Sequence, residues 1–229
     1  LLDSTSTAKA SFGERLVDIV KQLSSGMLAT LAIFFLTLIF SMPLGLLVCA
    51  IRKSRIGIVR WIARIYISIM RGTPRMLQLL VVFFGPYYLF GMKVTATYRF
   101  YAVIIGFALN YAAYFAEIFR SGIQSIERGQ YEAAKCLGFS YIQTMRRIII
   151  PQMIKRVLPP ISNETITLVK DTSLIYVLAM NDLLRKTSNL VQRDFSITPF
   201  LVAGVFYLLM TLVLIYGIDK LEKRFSKFD

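Results

Sequence analysis

Residues 27–51 read MLATLAIFFLTLIFSMPLGLLVCAI, a run of 25 residues without one charged side chain. A helix needs about 20 such residues to cross the hydrocarbon core of a bilayer, so this stretch predicts a transmembrane span. Pro43 and Gly45 within it are tolerable, because neighbouring helices or waters can satisfy the backbone groups they free. Three further uncharged stretches, Met76–Met92, Phe100–Ala116 and Pro199–Ile218, approach the same length. Ile148–Met180 is apolar in large part but is interrupted by Lys155, Arg156, Glu164, Lys170 and Asp171, so hydropathy alone would miss it. The chain has 229 residues, 56% of them hydrophobic, which a soluble domain of this size would struggle to keep dispersed. The expectation is an all-α integral membrane protein with about five spans.

The formal charge of +14 could suggest nucleic acid. Here, however, the charges flank the apolar stretches and the aromatics lie inside them, which electrostatic orientation in a membrane explains. Arg52, Lys53, Arg55, Arg60 and Arg64 follow the first span with no acidic residue among them. Arg120, Arg128, Lys135, Arg146 and Arg147 form a second basic zone, and Lys220, Lys223, Arg224 and Lys227 a third. An odd number of crossings with the N-terminus outside and the C-terminus in the cytoplasm puts all three on one side. The chain has no His, and no Cys/Asp/Glu cluster has metal-ligand spacing, so neither a metal nor general-base catalysis by His is expected. Cys49 in the first span and Cys136 in a cytoplasmic loop lie on different levels, which argues against a disulfide. Without a charged leader and small-residue cleavage site before the first span, an upstream segment, leader or fused domain, is expected before Leu1.

Residues 1–25 read as an extracytoplasmic or interfacial segment, 26–222 as the transmembrane domain with a cytoplasmic loop at about 121–150, and 223–229 as a cytoplasmic tail. Phe12, Leu16, Ile19, Val20 and Leu23 recur at helical intervals within Asp3–Ser25, predicting a short interfacial helix. Ile56–Met70 enters the membrane from the headgroups, and Arg71-Gly72-Thr73-Pro74-Arg75 should kink or briefly unwind it before it resumes through Leu77. Gly91–Arg99 reads as a short external loop, Phe100–Arg120 as the third span and Asp182–Ser196 as an outer loop. Ser125–Met145 should be helical in two pieces hinged at Gly138, and Pro151 suits the first turn of the next helix.

That polar loop carries Glu132-Ala133-Ala134, then Gly138 after three residues, Ile148 after nine more, and Ile150-Pro151. The pattern resembles the EAA loop of importer-type ABC permeases. Arg71-Gly72-Thr73-Pro74 with Gln78, Ala116-Glu117 with Arg120, Gly122 and Ile123, Gly129-Gln130, and Lys170-Asp171-Thr172-Ser173-Leu174 narrow the resemblance to the polar amino acid permeases, from about residue 25 onward. Ser121, where Gly is more usual, and Ile150, in place of Leu, are small departures. The resemblance implies a type I ABC importer permease fold in a bacterial cytoplasmic membrane. It also implies a dimer with a second permease, the same chain or a similar one, two ATPase subunits that bind ATP and Mg, and an extracytoplasmic amino acid receptor, separate or fused. The chain itself has no Gly-rich phosphate loop ending in Lys-Ser or Lys-Thr, so ATP binds elsewhere and the chain is not an enzyme. Glu132 would anchor the ATPase, Ala133 and Ala134 would allow its close approach, and Gly138 would allow a sharp bend.

Ionisable groups at bilayer depth are costly and mark sites or pathways. Glu164 and Asp171 are seven apart and share a helix face, so both can look into one cavity, while Lys170 points elsewhere. A cationic amino acid needs anions for its α-ammonium and side chain and a cation for its carboxylate. Asp171, Glu164 and Arg120 are the candidates in that order, and Glu164, as a second anion, leans the cargo toward arginine, lysine or histidine. The alternative for the two carboxylates is a packing network with Lys170, Lys155 or Arg156, and for Arg120 an anchor at the cytoplasmic interface. Gln78 suits either substrate contact or an interhelical hydrogen bond. Tyr87, Tyr88, Tyr101, Tyr111 and Tyr114 suit belt or packing roles. A self-sufficient ion-coupled transporter or channel would explain the buried charges but not the polar loop. A non-transporting scaffold would explain the loop but not the charges.

Overall fold

The structure is a computed structural model, and it describes residues 12–226. The first part of the expected interfacial helix, Asp3–Ser11, and Lys227 lie outside the described residues. Among the described residues nine α-helices follow one another: α1 Phe12–Arg52, α2 Gly57–Gly72, α3 Arg75–Phe90, α4 Ala96–Gln124, α5 Arg128–Cys136, α6 Tyr141–Thr144, α7 Ile150–Asp171, α8 Leu183–Asp194 and α9 Thr198–Ser226. A π-turn, Met145–Ile149, joins α6 to α7, and a 3-10 turn, Thr172–Leu178, extends α7. Among the described residues, α1, α4 and α9 are each long and apolar enough to cross a membrane, and α2 with α3 would make a broken fourth.

The central helix is α4. Its Phe107, Tyr111, Ala112, Ala113, Phe115 and Ala116 are all buried, and 72% of its apolar window is covered by other helices against 11% for α9. With no hydrophobic drive to bring helices together in lipid, close van der Waals approach has to do it. Gly45 supplies that approach where α1 meets α4: a Cβ there would stand 2.7 Å from Phe115 Cβ and 3.1 Å from the Ala112 carbonyl oxygen.

The start of α1 departs from the expected separate interfacial helix. Phe12–Arg52 is one unbroken helix of 41 residues, because Ile19 and Leu23 bury themselves against α8 and keep the helix folded beyond the span. The stretch expected as an outer loop, Asp182–Ser196, is correspondingly helical. Asp182 caps α8 by accepting from the Arg185 and Leu184 amides at 3.0 and 3.3 Å, and Leu183, Thr187 and Leu190 are buried one turn apart.

The break at Pro74 is larger than a kink. Thr73 precedes a proline and takes the extended conformation such residues favour, with φ −118° and ψ 153°. The chain turns by 112° there, so α3 runs alongside α4 instead of prolonging α2. Other ties fix the ends of the bundle. Arg52 at the end of α1 meets Glu117 near the end of α4, Arg156 near the start of α7 donates to the Ser125 carbonyl, and Ser162 of α7 donates to Glu222 of α9 at 2.9 Å. The C-terminal ends of α1, α4 and α9 and the start of α7 therefore gather at one end, where the three basic zones fall.

Candidate functional site

The charge cluster is assembled by the break at Pro74. Arg75, the first residue of α3, points at α7, where Glu164 and Asp171 share a face as their spacing requires. Its guanidinium is paired directly with Asp171 and lies 3.7 Å from Glu164 Oε2. The Tyr111 hydroxyl donates to Asp171 Oδ2 at 2.7 Å. Two aromatic faces complete the cage: the guanidinium carbon stands 5.0 Å from the Tyr111 ring centre and 4.7 Å from that of Tyr114. Glu164 Oε2, although buried, accepts no hydrogen bond.

The cation that joins the two carboxylates is thus Arg75, and not the Lys170, Lys155 or Arg156 expected from the sequence. The missed signal was an arginine immediately after a helix-breaking proline, which aims its side chain across the break. Tyr111, taken from the sequence as a belt or packing aromatic, is fully buried and hydrogen-bonded inside this cluster.

Below the cluster lies a cavity of about 380 Å3, lined by Arg71, Tyr114, Glu117, Arg156 and Glu164. Arg120 is drawn away from it. Its guanidinium is taken up by Glu117, with Nε 3.0 Å from Oε1, and by Gln124, while Glu117 also receives Arg52. Arg120 is therefore not brought together with Glu164 and Asp171, whereas Arg71 is beside Glu164 on the cavity wall. Gln78 is engaged elsewhere too. Its amide nitrogen donates to the Met70 and Thr73 carbonyls at 3.0 and 3.1 Å and to Thr73 Oγ1 at 2.6 Å, and its oxygen accepts from Asn110 at 2.7 Å. It splices the carbonyls freed at the break onto α4, the interhelical option of the two its sequence left open.

The polar loop forms a second site. α5 ends in a Schellman turn: the Gly138 amide bonds the Lys135 carbonyl and the Phe139 amide the Ala134 carbonyl, both at 3.0 Å, with Gly138 at φ +76°. Ser140 and Gln143 then close a capping box that starts α6 at once, so the two helices meet at a fixed corner. Glu132 and Ala133 are exposed, but Ala134 is 1% exposed, packed into its own chain instead of offered outward. Leu137, Tyr141 and Ile142 stand out as apolar side chains on the corner, at 75, 70 and 66% exposure. Burial pushes the Tyr131 phenol up, with Tyr141 adding to the shift. Pro151 follows the π-turn, so the helix start expected there is a continuation from α6. The wider turn accommodates the proline ring and its missing donor without ending the helix.

An apolar bundle of long helices with a polar two-helix corner and a charged cavity defines a multi-span membrane protein of the permease class. Residues 41–227 match the description of the binding-protein-dependent transport system inner membrane component, and the chain belongs to that family. Over 200 residues it is 38% identical to the probable amino-acid ABC transporter permease protein YckA of Bacillus subtilis (strain 168), covering 87% of each chain. It is 34% identical over 205 residues to the arginine transport system permease protein ArtQ of the same organism, covering 89% of this chain and 92% of that one. The crystal structure of an amino acid ABC transporter with histidines superposes with a TM-score of 0.85 at 33% identity, over 95% of this chain and 100% of that one. The inward-facing MetNI methionine ABC transporter, at 16% identity and a TM-score of 0.68, shares the fold.

Proposed function

We propose that the chain is the translocation subunit of an ATP-driven importer of polar amino acids, coupled to its ATPase through the corner between α5 and α6. The observation that carries this reading is the corner itself. It is shaped by a Schellman turn followed at once by a capping box, it exposes Glu132, Ala133 and Leu137, and it follows directly on the end of α4. An exposed corner of fixed hydrogen bonding at the end of a central membrane helix suits the transmission of a partner's closing motion. With the basic zones at that end, it faces the cytoplasm, and α1, the α2–α3 pair, α4, α7 with its 3-10 extension, and α9 make five crossings. Two ATPase subunits supply ATP and Mg sites, a second permease completes the pathway, and an extracytoplasmic receptor delivers the amino acid.

In this reading Glu164 and Asp171 meet the ammonium groups of the cargo. Glu164 Oε2, lacking a donor, is the more available of the two, and it favours a basic amino acid. Gln78 acts indirectly, by holding the break between α2 and α3 onto α4. The carboxylate role first given to Arg120 passes to Arg71, which lines the same cavity as Glu164. The test is to reconstitute the chain with its ATPase and measure ATP-dependent uptake of arginine and glutamine by wild type and Glu164→Gln. The expected result is a selective fall, about tenfold or more, in arginine uptake. An equal effect on both cargoes would remove Glu164 from recognition, and uptake without the ATPase would instead favour a self-sufficient carrier.

A further inference from the structure

The long helix α9 is the one the rest of the chain covers least. Its packed side carries Ala203 and Met210, and farther along the helix Glu222 accepts from Ser162 of α7. On the other side Leu201, Val205, Leu208 and Leu212 are all exposed, and at about 100° per residue they fall within roughly a quarter of the circumference. The same face continues to Tyr216, 73% exposed, and then to a cavity of about 480 Å3 lined by Tyr216, Asp219, Lys220, Lys223 and Arg224. An apolar strip that runs straight into three cations and one anion matches a molecule that is apolar along its length and anionic at its head.

We propose that this face of α9 binds an anionic glycerophospholipid of the adjoining leaflet. Lys220 and Arg224 receive the phosphate, Asp219 accepts from a headgroup hydroxyl, and an acyl chain lies along Leu208, Leu212 and Tyr216. A second copy of this chain suits the face poorly. The exposed apolar face of α2, formed by Trp61, Ile62, Ile65 and Ile69, is bordered by Arg60 and Arg64 and would bring like charge to the cluster. The lipid would hold the end of α9 firm on the side away from its bond to Ser162, two residues before Glu164. The proposal needs only the membrane location, so it stands or falls separately from the cargo.

The test uses the full-length chain, purified in mild detergent with any subunits that accompany it and exposed to equimolar phosphatidylglycerol and phosphatidylcholine. Bound lipid is quantified by mass spectrometry for wild type, for Lys220→Gln with Arg224→Gln, and for Lys53→Gln with Arg55→Gln, which removes two exposed cations at the same end but away from the cavity. The expected result is a preference for phosphatidylglycerol that falls about thirtyfold in the first double variant, at roughly 1 kcal/mol for each basic residue near an anionic surface. It should weaken with salt and persist in the second variant. An equal fall in both variants would reduce the effect to a diffuse field and overturn the site. Displacement of the lipid by millimolar inorganic phosphate would mark a site for soluble anions, and efficient crosslinking of Leu212→Cys to a second protein chain would show that protein covers the face. Either result would also overturn the proposal.

Discussion

Arg75 is the residue on which the charged centre turns. It sits between two carboxylates and two tyrosine rings, about one fifth of its side chain exposed, so removing it strands two partly buried negative charges. Stranding a fully buried pair costs about 3–5 kcal/mol, and partial exposure screens this to roughly 1–2 kcal/mol for Arg75→Met. The expected fall in unfolding midpoint is a few degrees. Adding Asp171→Asn should recover at least half of it, because the stranded charge goes with the substitution. Thermal unfolding of the two single variants and the double variant in detergent checks this, and strictly additive losses would mean that the two residues are not coupled. Half of this centre was legible in the sequence. Glu164 and Asp171 were placed on one face because spacing along a helix is a local property. Arg75 was not placed, because its direction depends on a 112° turn whose size no local pattern encodes. Arg120 is held apart from this centre for a more local reason: Glu117, three residues earlier on the same helix, captures its guanidinium.

At the scale of elements, the corner at Gly138 and the cap at Asp182 set how two helices start and stop. A Cβ at Gly138 would meet nothing within 4 Å, so any loss on substitution there comes from backbone strain at φ +76° and not from crowding. Gly138→Ala should therefore cost about 1–2 kcal/mol in the turn and impair ATP-driven uptake, while Gly138→Asn, which tolerates the left-handed region better, should retain most of it. Equal uptake by both variants at normal expression would show that the corner's shape is not used. Asp182 makes a prediction of pH dependence. Burial pushes its carboxyl above the ordinary aspartate range, against the opposing effect of the two amides it caps. The folded state thus holds the proton more tightly than the unfolded one. This stability is complete below pH of about 4 and is lost as pH rises through the raised value. Asp182→Asn keeps a good cap and removes the titration, so its unfolding midpoint should vary less with pH in the acidic range than that of wild type. A pH profile unchanged by the substitution would exclude Asp182 as the source. This helix was read from the sequence as a loop because Arg185, Lys186, Asn189 and Arg193 dominate its composition. Asp182 followed by leucines was the local signal, and its meaning depended on the buried face that α1 and α9 provide.

The whole molecule is polarised, and its two cysteines report that polarity without any introduced probe. Cys49 is buried beside Gly45 in α1, and Cys136 is exposed at the end of α5, on the corner assigned to the ATPase. If the gathered ends of α1, α4 and α9 face the cytoplasm, a membrane-impermeant maleimide should label Cys136 in inside-out vesicles and not in right-side-out ones. Cys49 should stay unlabelled in both. Co-expression with the ATPase should then protect Cys136 in the inside-out vesicles, because a partner gripping Glu132, Ala133 and Leu137 covers the thiol one residue before Leu137. Labelling from the outer side would invert the assigned orientation, and with it the direction of the pathway. Labelling from the inner side that the ATPase leaves unchanged would keep the orientation but move the coupling contact off α5. The two halves of the prediction therefore fail independently, one on how the chain lies in the bilayer and the other on where it is driven.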